Sequence, residues 1–248
     1  MSLCVSDEIL KHIPPVGYGL ILGDIRSGKS AIGYGILESI QGRKKCVFAP
    51  PPALANLLPK HISPVHEIEE IENGSVVLFD EAYLSFYSRE FMKDSNKLID
   101  VTSGIAGHKD ILLIFVTQQT RRLDISIIAS ARFILFKKPS LLQSRFDRPQ
   151  LRAITGDVFN AFKSVSNHMN SCYIITPDFE GMIEKSNTLP EWWSDEISKS
   201  YAYEGGVVDD TPQFIRIKIT ERYEFLDRIY ISGIDEKGKK INIDALLE

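Results

Sequence analysis

The sequence predicts an α/β fold in which a mainly parallel sheet lies between helical layers, followed by a small β-containing C-terminal extension. Three observations carry this. Short apolar runs alternate with helix-periodic segments through most of the chain, the pattern of a parallel sheet buried on both faces. A glycine-bounded run, YGLILG at 18–23, leads straight into a segment where Ile32, Ile36, Leu37 and Ile40 recur at helical spacing until Gly42. The last stretch changes character: FIRIKIT, RIYISG and KKINID alternate apolar and polar residues around DEKGK.

The elements follow in order. YGLILG is the first strand, and the helix from Ser30 to about Ile40 comes next. KCVFAP (45–50) is a second strand, halted by Pro50-Pro51-Pro52, and residues 53–74 read as short helices and turns ending in Asn73-Gly74. SVVLFDEA (75–82), ILLIFVTQQ (111–119) and ARFILFKK (131–138) are the third, fourth and fifth strands. Residues 141–163 are helical and rich in arginine, SCYIITPD (171–178) is a sixth strand, and LPEWWSDEISKSYAY (189–203) is a short helix. A joint at Glu204-Gly205-Gly206 separates a main domain, 1–203, from the extension, 204–248, an antiparallel unit from about residue 211. Within the main domain the motif core spans about 15–140, and 141–203 is a helical and strand remainder.

Composition sets the outer bounds. The chain has 248 residues, 44% hydrophobic and 25% charged, enough for a full core. Its formal net charge of −4 provides no global basic field to draw it to nucleic acid, though a ring could still concentrate basic side chains in its channel. Cys4, Cys46 and Cys172 lie far apart without a CxxC pair, which argues against zinc or a disulfide framework and for a reducing cytoplasm. The opening MSLCVSDEILKHIPP carries acids and no long apolar core, and the best apolar run, ILLIFV, falls far short of the roughly 20 residues of a spanning helix. No membrane insertion is expected.

The chemistry begins where the first strand ends. Gly23-Asp24-Ile25-Arg26-Ser27-Gly28-Lys29-Ser30 fits GxxxxGK[ST] at every fixed position, with a strand before it and a helix after it. Glycines let backbone N–H groups turn inward around phosphate oxygens at a helix N-terminus. Lys29 would reach the β- and γ-phosphates, and Ser30 would ligate Mg²⁺. The candidate nucleotide contacts run from Gly23 through Ala31, and the implied ligands are ATP and Mg²⁺.

VVLFDEA supplies acids at the carboxyl end of the third strand, the edge where parallel sheets bind ligands. Asp80 can hold Mg²⁺ through a water, and Glu81 can act as general base on the attacking water. Taken alone, the pair could equally cap the following helix. The fourth strand ends in Thr117, Gln118 and Gln119. If that strand lies between the other two, Gln118, or else Gln119, can hydrogen-bond the attacking water or the γ-phosphate.

GDIRSGKS, VVLFDEA and ILLIFVTQQTRRLDISI, in this order and spacing, resemble the HerA–FtsK superfamily of P-loop ATPases. Within it, DEAYLSFYSR and GHKDILLIFVTQQTRRLD are similar to the zonular occludens toxin (Zot) family and to genome-packaging ATPases of icosahedral viruses with an internal membrane. The resemblance covers about residues 15–140. It implies a three-layer P-loop NTPase of the additional-strand catalytic-glutamate type: an ATP-hydrolysing motor, assembled as a homo-oligomeric ring, typically a hexamer, that translocates or packages double-stranded DNA. By motif match Lys29 and Ser30 bind phosphate and Mg²⁺, Asp80 holds the metal, Glu81 activates water and Gln118 is the sensor. A viral owner would place the protein in the host cytoplasm or the virion, with a capsid or assembly partner.

Two features depart from the families. Filamentous-phage relatives of the toxin family carry a membrane segment, absent here, and the Arg-His pair of many relatives is replaced by Gly107-His108-Lys109. The arginine that reaches a neighbour's γ-phosphate must therefore be sought elsewhere. Permanent charge favours Arg over Lys, and Arg89, Arg121, Arg122, Arg145 and Arg148 are the candidates, the pair after Gln119 being preferred and Arg122 chosen from it. His108 reads as a surface residue. Basic side chains able to grip DNA phosphates include Arg43-Lys44-Lys45, Lys137-Lys138, Arg145, Arg148 and Arg152, with no cluster above an ordinary solvated face. DNA binding therefore rests on the resemblance. Two other readings stay open: a Zot-like morphogenesis or assembly ATPase acting on protein partners, and a slow nucleotide-dependent switch. The extension could be an oligomerisation arm, a docking element or plain sheet, and Trp192 and Trp193 read as core anchors.

Overall fold

In the computed structural model, β-branched and leucine-rich runs become the middle of one large sheet because both of their faces find an apolar partner. The structure describes residues 4–80, 108–117, 125–147, 149–184, 187–200, 217–225, 228–235 and 240–246. The chain divides into two compact units, Met1–Gly205 and Gly206–Glu248.

The first unit holds an eight-stranded sheet. Its strands are β1 (Gly17–Leu22), β2 (Lys45–Phe48), β3 (Ile62–Val65), β4 (Val76–Phe79), β5 (Leu112–Thr117), β6 (Phe133–Phe136), β7 (Cys172–Ile175) and β8 (Glu180–Ile183). They lie in the order β3-β2-β4-β5-β1-β6-β7-β8, parallel from β3 through β6 and antiparallel at β7 and β8. Strand β5 thus runs between β4 and β1, so the third and first strands of the motif series flank the fourth.

The period-2 alternation of side chains divides each strand between two cores. Leu20, Leu22, Val77, Phe79, Leu113 and Phe115 face one side, where they pack with Ile127 and Ile128 of α4 (Ile125–Ser130) and Leu151 and Val158 of α6 (Pro149–Ala161). Ile21, Val76, Leu78, Leu112, Ile114 and Val116 face the other, against Ile32, Tyr34, Ile36 and Leu37 of α2 (Lys29–Ser39). Burying each such side chain contributes on the order of 1.5–3 kcal/mol, so two full cores hold the sheet in a three-layer sandwich. Among the described residues this unit also holds the short helices α1 (Asp7–Lys11), α3 (Pro52–Ala55), α5 (Leu141–Phe146) and α7 (Asp195–Ser200).

The structure corrects the expected elements in three places. Residues 53–74 contain the edge strand β3, whose two middle residues, Ser63 and Pro64, are exposed; an edge is where a strand tolerates proline. Strand β8 follows β7 as an antiparallel partner, a hairpin that no apolar run announces. The helix expected over 189–203 is confined, among the described residues, to Asp195–Ser200; before it Pro190 accepts a turn hydrogen bond from Trp193 N.

One close approach fixes the centre of the sheet. Gly19 pairs with Phe133 across β1 and β6, and a Cβ on Gly19 would lie 2.2 Å from the Phe133 ring, which is fully buried. Gly19→Ala is therefore expected to destabilise by about 2–3 kcal/mol, lowering Tm by roughly 4–12 °C. Calorimetry of Gly19→Ala beside Gly19→Ala/Phe133→Leu checks this: the smaller second residue should recover part of the loss, and an unchanged Tm in the single variant would refute the packing argument.

The second unit contains an antiparallel three-stranded sheet, β11-β10-β9, formed by β9 (Ile217–Phe225), β10 (Arg228–Asp235) and β11 (Lys240–Leu246). Its register shifts between Ser232 and Gly233.

Candidate nucleotide-binding site

The phosphate loop hangs between the end of β1 and the start of α2. Gly28, the N-cap of α2, has φ 88° and ψ 22°, the left-handed conformation that glycine adopts without a Cβ penalty. Gly23 has φ 151°, and a Cβ there would stand 2.9 Å from Ser27 Oγ and 3.0 Å from both Cβ and O of Lys137. Only glycine fits either place. Arg26 also has a positive φ, 55°, at an exposed position of the loop.

The loop is braced from inside. Ser27 N donates to Asp24 O at 3.3 Å and Ile25 N to Asp24 Oδ1 at 2.8 Å. Lys29 is buried, and its ammonium bends back to donate to Asp24 O at 2.6 Å. Ser27 Oγ is closed off from solvent with no hydrogen-bond partner among the described residues. A buried hydroxyl left so is costly unless a ligand meets it, which suits a loop made to receive an anion.

Asp80 comes directly after β4 and is 2% exposed. Ser30 Oγ donates to Asp80 Oδ1 at 3.1 Å, joining the first turn of α2 to the acidic strand end. A hydroxyl and a carboxylate side by side are hard oxygen ligands of the kind Mg²⁺ takes, with waters and phosphate oxygens filling the remaining positions. The donor set fits the ion. Thr117, buried at the end of β5, lies on the strand between.

The geometry thus brings together Gly23, Asp24, Ser27, Gly28, Lys29, Ser30 and Asp80. Glu81, Gln118, Gln119, Arg89, Arg121, Arg122 and Arg148 lie outside the described residues. Arg145 is exposed in the last turn of α5, His108 is exposed, and Lys109 donates to Ile71 O at 3.1 Å.

Several basic residues offered for DNA are committed elsewhere. Arg43 donates to the carbonyls of Pro15, Gly74, Ser75 and Asp110, tying three loops at one end of the sheet. Lys45 is buried with its ammonium on Glu38 O at 2.6 Å. Lys137 is fully buried just after β6, donating to Met169 O at 2.6 Å, Ser171 O at 2.8 Å and Asn187 Oδ1 at 3.4 Å. Burial pulls its pKa down from the ordinary lysine value to about 8. These three side chains hold backbone, and none is free to grip a phosphate strand.

Lys137 belongs to the site's frame, a role sequence reasoning missed. Its own N–H donates to Leu22 O, Lys138 O accepts from Asp24 N, and its Cε lies 3.4 Å from where a Gly28 Cβ would be. The local signal was available in part: a lysine directly after four apolar strand residues can be buried as readily as solvated.

Strand order, phosphate loop and Ser30–Asp80 pair together define the fold of a P-loop NTPase, the expected class. The solved structures similar to this chain include the genome-packaging NTPase B204 from Sulfolobus turreted icosahedral virus 2, in complex with ATP-γ-S (TM-score 0.51) and with AMP (TM-score 0.50). Each alignment is 14% identical and covers 71% of this chain and 100% of that one. The DNA-packaging ATPase B204 from Sulfolobus turreted icosahedral virus is also similar, at 18% identity over 68% of this chain and 98% of that one, with a TM-score of 0.48. No protein-family model and no curated protein matches the sequence. Among the described residues no helix is long and apolar enough to cross a membrane.

Proposed function

We propose that this chain binds Mg²⁺-ATP at the phosphate loop, hydrolyses it, and uses the cycle to move double-stranded DNA as a packaging motor. The observation that carries the nucleotide reading is the Ser30–Asp80 contact beside a glycine loop whose buried Ser27 hydroxyl has no hydrogen-bond partner among the described residues. The DNA reading draws its support from the sequence resemblance and from the fold shared with a viral genome-packaging NTPase.

In this reading the loop N–H groups wrap the β-phosphate, and Lys29 leaves Asp24 O to reach the β- and γ-oxygens. Ser30 and Asp80 would hold Mg²⁺, which when bound spreads the negative charge of the β- and γ-phosphates. Glu81 takes a proton from the attacking water and Gln118 orients that water. Gly23 and Gly28 keep the backbone close enough for its N–H groups to serve. An arginine of a neighbouring copy, with Arg122 the first choice, completes the charge around the γ-phosphate in a ring.

The test is ATP hydrolysis with and without double-stranded DNA at two protein concentrations. Severalfold DNA stimulation, with specific activity rising at the higher concentration, is the expected result. Hydrolysis indifferent to DNA would refute the translocase reading and favour an assembly ATPase working on protein.

A further inference from the structure

The phosphate loop has two flanks. On one, Ser30 meets Asp80 at the end of β4, so the metal-bearing end of a nucleotide belongs on the side of β5 and β4. On the other stand Lys137, just after β6, and the single helical turn His168–Asn170 that leads into β7. A triphosphate laid with its terminal phosphates toward Asp80 carries its sugar and base out over this second flank.

The side chain waiting there is Met169. Its Cε lies 3.3 Å from where a Gly28 Cβ would be, in contact range of the loop, yet the residue is 51% exposed. Its backbone is held firmly. Met169 O and Ser171 O both accept from the buried Lys137 ammonium, and Asn167 Oδ1 accepts from Asn170 N at 3.3 Å to cap the turn. An unbranched, polarizable thioether on a fixed backbone, open on one side and set against a phosphate nest, offers a surface for an aromatic ring.

Building on the nucleotide reading above, we infer that Met169 is the nucleobase contact of this site and that Lys137 is its positioning residue, clamping the 169–171 backbone against the phosphate loop. The two ends of the ligand are then read by different parts of the chain. Phosphates go to the loop and its helix; the base goes to a turn more than a hundred residues later.

Calorimetric titration of the full chain with Mg²⁺-ATP and, separately, with Mg²⁺-tripolyphosphate tests this. Met169→Ala should weaken ATP binding by about 3–10-fold and leave tripolyphosphate within twofold, with Met169→Leu recovering most of the loss. Lys137→Met should lower the ratio of ATP to tripolyphosphate affinity in the same direction, a readout that a merely structural defect would not move selectively. Equal losses on both ligands, or an unchanged ATP affinity in Met169→Ala, would overturn the assignment while leaving the phosphate site intact. A wild-type chain that binds neither ligand would overturn the nucleotide reading itself and this inference with it.

Discussion

Glu81→Gln is expected to lower kcat for ATP by about 10²–10⁴-fold while leaving the ATP dissociation constant within about threefold. The substitution keeps the size of the side chain and removes its ability to accept a proton. Asp80 is buried at the end of β4 and hydrogen-bonded to Ser30, which fixes where the carboxylate proposed to hold Mg²⁺ stands. Glu81 is the next residue in the sequence, the position from which a general base for the attacking water is proposed. Single-turnover hydrolysis together with equilibrium nucleotide binding checks both halves. A variant that still turns over within tenfold of wild type would remove Glu81 from the general-base role and leave the neighbouring glutamines to be tested.

Lys29→Ala should act on the other half of the cycle, weakening Mg²⁺-ATP binding by about 10²–10³-fold, the scale of losing one partner of a buried charge pair. The reason lies in how Lys29 is held. It is 5% exposed, and its ammonium already donates to Asp24 O, so it is aimed into the loop before any ligand arrives. Lys29→Arg should not restore affinity, because a planar guanidinium fork does not occupy the space of a compact ammonium. Thermal melts of both variants without ligand separate a binding defect from a folding defect. Affinity within threefold of wild type in Lys29→Ala would contradict the placement of phosphate at this loop.

How much of this was legible in the sequence depends on how local each feature is. The phosphate loop is contiguous, so its glycines, Lys29 and Ser30 announce themselves, and the strand before it is apolar through Leu22. The position of β5 between β4 and β1, which the sequence offered only as a condition for the Gln118 role, is met in the sheet. Strand β3 was hidden because Pro64 and an exposed middle look like a turn, and β8 because Glu180 and Gly181 break any apolar run. Lys137 and Arg43 were read as available basic residues because their partners are remote. Lys137 holds carbonyls 32 and 34 residues away, and Arg43 one 67 residues away, so only the fold reveals that their charge is already used. Glu81 and Gln118, assigned by motif match, and Arg122, chosen from the arginine pair after Gln119, lie outside the described residues and rest on the sequence.

The chain has two tryptophans, and both pack on the helix that begins at the phosphate loop: Trp192 and Trp193 meet the Tyr34 ring with centroids 5.7 and 5.4 Å apart, and Trp192 Nε1 donates to Glu38 Oε2. Every indole in the protein therefore reports on α2. With excitation to the red of tyrosine absorption, intrinsic fluorescence becomes a label-free optical gauge of ligand arrival with no indole elsewhere in the chain to add background, and stopped-flow mixing can time that arrival before any phosphate is released.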